Sequence, residues 1–115
     1  MTLPFKSLSN DVSVAPQLSP EAMAEAVAAG FRSVINNRPD FEGGPDQPTS
    51  ASVEAAARAA GLEYEWLPVA PNVHSAAEIA RFAELLAQLP KPILVFCRSG
   101  ARSSKLYSAA ISTPR

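Results

Sequence analysis

The sequence is short of several residue types, beginning with cysteine, of which its 115 residues include one. One cysteine permits no internal disulfide, so we expect a reducing compartment and a free thiol. The net charge of −1 gives no global basic surface, which argues against nucleic acid as a partner. No apolar run approaches membrane-spanning length, and the N-terminus lacks the long apolar core of a signal peptide. These absences predict a cytoplasmic protein that binds neither membrane nor nucleic acid.

What is present is typical of one globular domain over residues 1–115, with 47% hydrophobic and 18% charged residues. Strand-like and helix-like patterns alternate along it. We predict strands over 12–15, 31–36, 62–69 and 93–96, with a further strand over 5–8 pairing with the first. We predict helices from Ser19 to Ala29, over 50–60, from the capping box at Ser75, and over 102–111. This order predicts a three-layer α/β fold: a mainly parallel sheet of four to five strands with helices on both faces.

The most informative stretch is Cys97-Arg98-Ser99-Gly100-Ala101-Arg102-Ser103, which ends an apolar strand and begins a helix. Such a loop points backbone N–H groups inward at a helix N-terminus and favours an anion. The same field lowers a thiol pKa and makes the sulfur a nucleophile. The alternative is that the thiol is a small buried hydrophobe, but two arginines and a glycine beside it are poor core formers. We therefore predict Cys97 and Arg102 as catalytic and the rest of the loop as the anion site.

Active sites in such sheets form at the carboxyl ends of the strands, so the loops 36–47, 70–74 and 97–103 should converge. Arg38, Asp40 and His74 are then expected to share a pocket with the cysteine. The alternatives are that Arg38 and Asp40 bridge across a turn and that His74 is a solvated residue before a helix cap. Strand alternation predicts Tyr64 and Trp66 as core residues.

Three motifs resemble the phosphatase-like domain of beta-lactamase-hydrolase-like proteins. They are Gln17-Leu18-Ser19-Pro20, Val34-Ile35-Asn36-Asn37-Arg38-Pro39-Asp40 and the cysteine loop, and the resemblance runs from about Leu8 to Leu106. It implies a fold similar to that of dual-specificity protein phosphatases. It also implies two candidate chemistries, because some members are fused to a metallo-β-lactamase-like sulfur dioxygenase and are regarded there as rhodanese-like sulfurtransferases.

Loop length and the general acid discriminate between these chemistries. Tyrosine-phosphatase-like enzymes place five residues between Cys and Arg, whereas four separate Cys97 from Arg102, as in single-domain rhodaneses. Phosphatases of this fold carry an Asp after the strand that ends here at Val69, and residues 70–74 contain no carboxylate. His74 is an alternative acid, as are three carboxylates of the neighbouring loop, Asp40, Glu42 and Asp46. Thiolates leave readily without an acid, so these features favour sulfur transfer.

Three hypotheses therefore stand. The first is a sulfurtransferase that carries a persulfide on Cys97, the second is a cysteine phosphatase, and the third is a noncatalytic oxyanion-binding module. The expected partners are a small sulfur donor or a phosphoester or other oxyanion, with a metallo-β-lactamase-like sulfur dioxygenase as a protein partner. No cofactor and no metal site is predicted.

Overall fold

The computed structural model describes residues 3–112. Over this range the chain forms five strands and four helices. In chain order they are β1 (Lys6–Ser7), β2 (Val12–Ala15), α1 (Ala22–Ala28), β3 (Ser33–Asn36), α2 (Ser50–Ala59), β4 (Glu63–Trp66), α3 (Ala76–Gln88), β5 (Ile93–Phe96) and α4 (Ala101–Ser112).

The strands form one sheet in the order β1-β2-β5-β3-β4. The four longer strands run parallel, with β5 pairing to both β2 and β3, and β1 joins the edge antiparallel to β2. The predicted α/β class, with a mainly parallel sheet of up to five strands, is confirmed. Since β5 lies at the centre, the residue that follows it emerges at the middle of the carboxyl edge.

Helices cover both faces because neighbouring strand residues point to opposite sides. On one side Met23 of α1 and Val53 of α2 pack in a cluster with Phe96 of β5. On the other side Phe82 of α3 and Leu106 of α4 share a second cluster with alternate strand residues. All four residues of β5 are buried, which is why its sequence is a continuous apolar run. The part of the chain that the structure describes has no helix long and apolar enough to cross a membrane.

The predicted helix starts have different outcomes. The capping box is confirmed, since Glu78 N donates to Ser75 Oγ (3.1 Å) and Ser75 N donates to Glu78 Oε1 (2.8 Å). The start predicted at Ser19 is wrong, because α1 begins at Ala22. The carbonyl oxygens of Ser19 and Pro20 instead accept hydrogen bonds from the N–H groups three residues later, as in a turn. Ala22 N donates to Ser19 O at 3.0 Å.

The two aromatic residues of β4 also differ. Tyr64 is 3% exposed, as predicted for a core residue, but Trp66 is 43% exposed, so its prediction as core is wrong. Strand β4 lies at the sheet edge, and its last residue reaches the carboxyl end. There the indole N–H of Trp66 donates to the carbonyl oxygen of Arg38 (2.9 Å), which fixes the start of the loop after β3.

Candidate active site

Three loops meet at the carboxyl edge of the sheet. Arg102 Nη1 donates to Glu42 Oε2 in the loop after β3 (3.1 Å) and to the carbonyl of Val69 after β4 (3.2 Å). The Ser103 hydroxyl donates to Asn37 Oδ1 (2.9 Å). The expected convergence of the loops after β3, β4 and β5 is therefore present, with the N-terminal turn of α4 at its centre.

Cys97 sits at the base of this meeting point and is 1% exposed. Gly100 N donates to Cys97 Sγ (3.1 Å), and Gly100 has φ 93°, a backbone conformation that favours glycine. Burial acts to raise the pKa of the thiol. The Ser103 hydroxyl and the backbone N–H groups of Ser103, Ser99 and Gly100 act in the opposite direction and outweigh burial, so the pKa of Cys97 lies below its ordinary value. This environment suits a thiolate.

We expect Cys97 to be alkylated by iodoacetamide at a lower pH than an ordinary thiol. The loop N–H groups stabilise the anion, so the reactive fraction persists as pH falls. Cys97 is the only cysteine, so the incorporated label reports on it alone. A rate profile against pH, with free cysteine measured in parallel, checks the expectation. Coincident midpoints would contradict it.

Arg102 is 8% exposed, and its guanidinium nitrogens differ in their contacts. Both terminal nitrogens of its guanidinium contact the Glu42 carboxylate, Nη1 to Oε2 (3.1 Å) and Nη2 to Oε1 (3.0 Å). Its Nε, which is buried, has no hydrogen-bond partner among residues 3–112. The carboxylate thus fixes the guanidinium, and one buried N–H donor remains beside the cysteine loop.

Glu42 also pairs with a second arginine. Arg38 Nε donates to Glu42 Oε1 (2.9 Å), and Arg38 Nη1 donates to Gln17 Oε1 (3.1 Å). Burial acts to raise the pKa of the Glu42 carboxyl, but hydrogen bonds and positive charge from Arg102 and Arg38 outweigh it and hold the pKa below its usual range. Glu42 is therefore ionised near neutral pH, which makes it a poor general acid and a good anchor for two arginines.

The loop that carries Glu42 is fixed by polar contacts at several points. Asn36 Oδ1 accepts Arg38 N (2.8 Å), and Asp40 Oδ1 accepts Ser50 N (2.7 Å) at the start of α2. Gln47 spans the turn, donating to Pro39 O (2.9 Å) and accepting Gly43 N (2.7 Å). These contacts tie the loop to the end of β3 and the start of α2, and they hold the loop that brings the carboxylate of Glu42 to the arginines.

Phe41, at the tip of this loop, has φ 61° and is 65% exposed. A side chain at such a φ costs about 1–2 kcal/mol relative to glycine. We expect Phe41→Gly to be more stable than Phe41→Ala by about 1 kcal/mol, because both variants remove the ring and only alanine keeps the strain. Urea unfolding of the two variants measures the difference. Equal midpoints would contradict the strain.

The other predicted site residues are arranged as follows. Arg98 and Ser99 are exposed in the cysteine loop, and Ser99 Oγ accepts Ala101 N at 3.3 Å. Asp40 is used at the start of α2. His74 Nε2 lies 3.1 Å from the carbonyl oxygen of Ala70, within its own loop. In the described range no three side chains of His, Cys, Asp or Glu are grouped to hold a metal ion.

Two site residues escaped the sequence analysis in their actual roles. The sequence predicts Glu42 only as a candidate acid, although its position four residues after Arg38 is a signal for an ion pair. It places Asn37 only within a family motif, yet Asn37 is fully buried and contacts Ser103. A polar residue directly after an apolar strand was the available signal.

Comparison with known proteins shows the family of the chain. Residues 4–113 match the family model of the beta-lactamase hydrolase-like protein, phosphatase-like domain. A beta-lactamase hydrolase-like protein of Xylella fastidiosa is 43% identical over 79 residues, which is 69% of this chain and 18% of that protein. The chain thus spans a small part of the curated relatives that it matches.

Solved structures of phosphatases are similar in fold to this chain. A putative phosphatase from Neisseria meningitidis Z2491 superposes with a TM-score of 0.83 at 28% identity, covering 94% of this chain and 78% of that one. TpbA of P. aeruginosa, solved in complex with pTyr, superposes with a TM-score of 0.67 at 14% identity over 90% and 59% of the two chains, a likeness of fold. These three relatives support neither the sulfur donor nor the sulfur dioxygenase that the sequence analysis expects as partners. The chain therefore belongs to the family of phosphatase-like domains found in beta-lactamase hydrolase-like proteins, and it has a phosphatase fold.

Proposed function

We propose that this domain hydrolyses phosphate monoesters through a covalent phosphocysteine on Cys97. The observation that carries the proposal is the buried Nε–H of Arg102, which has no partner in the described range and belongs to the residue next to Ser103, whose backbone N–H lowers the pKa of Cys97. A donor fixed in this way suits an oxyanion with several oxygens. The family match and the phosphatase neighbours support phosphate over the sulfur transfer that loop spacing favoured.

In the first step the Cys97 thiolate attacks phosphorus, an S–P bond forms, and the P–O bond to the leaving group breaks. The phosphoryl oxygens are held by the loop N–H groups and by Arg102. In the second step water attacks the phosphocysteine, the S–P bond breaks and the thiolate returns. The products are an alcohol or phenol and inorganic phosphate. The attacking water supplies the hydroxyl group of the phosphate and releases one proton, which balances the proton that the leaving oxygen takes up.

The leaving oxygen takes its proton from solvent in this proposal. Glu42 is ionised between two arginines, and Asp40 Oδ1 is occupied by Ser50 N. We therefore expect kcat/KM to fall steeply from p-nitrophenyl phosphate to phenyl phosphate, because the poorer leaving group depends more on protonation. Parallel initial rates on the two esters measure this. Equal values would reveal a general acid and contradict solvent protonation.

The direct test is to quench the protein with acid during turnover of p-nitrophenyl phosphate and analyse it by mass spectrometry. We expect one phosphoryl group on Cys97 in the wild type. In Cys97→Ser we expect neither turnover nor this adduct, since the serine hydroxyl is not activated as the thiolate is. Hydrolysis that survives Cys97→Ser, or wild-type protein without turnover, would overturn the proposal.

Sulfur transfer is the second candidate, and the four-residue spacing from Cys97 to Arg102 favours it. With thiosulfate as donor, the thiolate would attack the sulfane sulfur, an S–S bond would form, and sulfite would leave. Incubation with thiosulfate should then add the mass of one sulfur atom to Cys97. If that adduct forms in protein that has no phosphatase activity, sulfur transfer becomes the first candidate and phosphate hydrolysis the second.

A further inference from the structure

The segment that follows β2 lies along the cysteine loop. Ala15 is the last residue of β2, and its carbonyl oxygen accepts Cys97 N at 3.4 Å. Two residues later, Gln17 N donates to the carbonyl oxygen of Arg98 (3.2 Å). Both contacts continue the parallel pairing of β2 with β5, which ends with Ala15 opposite Phe96. The backbone of the first two loop residues is therefore held from the neighbouring strand end.

The contact between Gln17 and Arg98 fixes the direction of the next N–H group. The carbonyl of Arg98 and the N–H of Ser99 belong to one planar trans peptide unit, so they point to opposite sides of it. Because Gln17 holds the carbonyl oxygen, Ser99 N–H points away from Gln17. It is one of the backbone N–H groups that favour the Cys97 thiolate, together with Gly100 N, which donates to the sulfur at 3.1 Å.

The side chain of Gln17 links the same peptide to the arginine pair. Its Nε2 donates to the carbonyl oxygen of Leu18 (2.8 Å), which sets the orientation of the amide. Its Oε1 accepts Arg38 Nη1 (3.1 Å), and Arg38 shares the Glu42 carboxylate with Arg102. One residue outside the three converging loops thus contacts both the cysteine loop and the ion-pair cluster that fixes the arginine of that loop.

We propose that Gln17 is a positioning residue of the active site, whose backbone N–H turns the Arg98–Ser99 peptide so that Ser99 N–H faces the anion. Without that donor the peptide is free to rotate and to present its carbonyl oxygen to the sulfur, which disfavours a thiolate. The proposal rests on Cys97 being the nucleophile of the proposed function, although the thiol equilibrium needs no substrate. The variants below retain the charged and titratable groups of the loops that meet here, which are Arg98, Arg102, Arg38, Asp40, Glu42 and His74.

The experiment is a pH titration of thiolate absorbance in the far ultraviolet, in which the sole cysteine gives the signal and Cys97→Ser supplies the background. Gln17→Pro removes the donor, because proline has no backbone N–H. We expect the Cys97 midpoint to rise by about one pH unit, since Ser99 N–H is then no longer held towards the anion. An unmoved or lowered midpoint would overturn the proposal.

Two variants are matched controls for this titration. Gln17→Leu keeps the backbone N–H and removes Oε1, so its midpoint should stay within about 0.3 pH unit of the wild type. Ser19→Pro places a proline two residues later, where the carbonyl oxygen, which proline keeps, accepts Ala22 N (3.0 Å). Its midpoint should also stay unmoved. A rise in either control equal to that in Gln17→Pro would show that the Gln17 N–H is not the cause, and the proposal would be wrong.

Amide NMR of the wild-type protein decides the question should Gln17→Pro fail to fold. We expect the Ser99 amide resonance to move with the Cys97 midpoint and the Gln17 amide to exchange slowly with solvent, because one faces the sulfur and the other is hydrogen-bonded. A Ser99 resonance that does not follow the thiol, or a Gln17 amide that exchanges freely, would contradict the proposal. Failure of phosphate turnover with the expected shifts present would count against the proposed function alone.

Discussion

Arg102→Lys should lower kcat/KM for p-nitrophenyl phosphate by about a hundredfold or more, equivalent to about 3 kcal/mol of transition-state stabilisation. The guanidinium holds Glu42 with both terminal nitrogens and still has Nε–H to offer an oxyanion. A lysine ammonium is a single point charge, so it cannot reach both groups with the same geometry. Initial rates and urea unfolding of the variant measure activity and folding separately.

The matched control is Arg98→Lys, in the same loop. Arg98 is exposed, so we expect a smaller loss than at Arg102. The sulfur-transfer candidate predicts a different outcome, since a persulfide presents a compact charge that lysine also holds. Arg102→Lys would then keep a substantial part of the rate with thiosulfate. A folded lysine variant with nearly full phosphatase activity would remove Arg102 from the proposed mechanism.

Glu42→Gln should destabilise the fold by about 2 kcal/mol and lower phosphatase activity with it. The neutral amide leaves Arg102, whose side chain is 7% exposed, and Arg38, at 10%, beside each other without a counter-charge. Breaking a fully buried pair costs about 3–5 kcal/mol, and the 23% exposure of the Glu42 side chain reduces the figure expected here. Urea unfolding at neutral pH measures the loss.

Glu54→Gln is the control for that substitution. Glu54 accepts Arg58 Nε at 2.8 Å, but these two side chains are 41% and 54% exposed. Removing an exposed pair of this kind should cost much less stability than removing the Glu42 pairs. Equal losses in the two variants would show that Glu42 is another surface ion pair rather than the anchor of the site.

The Glu42 ion pairs also predict a pH dependence. The folded pKa of Glu42 lies below the ordinary value of 4.5, so the unfolded chain takes up its proton first as pH falls. The stabilisation is therefore complete above about pH 4.5 and is lost as pH drops towards the folded pKa. Stability measured over this window should fall less steeply in Glu42→Gln than in the wild type. Parallel curves would contradict the linkage.

Local chemistry determined much of the fold. The apolar run of β5 is buried on both sides and therefore reads as a buried strand from its sequence. The capping box at Ser75 satisfies helix N–H groups through residues three apart, so its sequence spacing is enough to place α3. The cysteine loop is likewise contiguous, and its placement between a strand and a helix followed from seven consecutive residues.

Contacts between distant segments were decided only by the tertiary structure. Trp66 alternates like a core residue, but its position at the end of an edge strand leaves it exposed. Nothing local joins Glu42 to Arg102, which are sixty residues apart. Their contact exists because parallel strands bring their carboxyl ends to one edge of the sheet.

Of the features that distinguish the two chemistries, some are local in the sequence and others depend on the tertiary structure. Residue spacing around Cys97 is a local property, and by itself it favoured sulfur transfer. The fixed guanidinium of Arg102 and the hydrogen bond from Ser103 to Asn37 depend on residues that follow β3 and β4 and on α4. The sequence by itself determined that a thiol follows a buried strand and precedes a helix, because strand, loop and helix are adjacent in the chain. Only the folded sheet decided what holds the residues after that thiol, since the partners of Arg102 and Ser103, Glu42 and Asn37, follow a different strand.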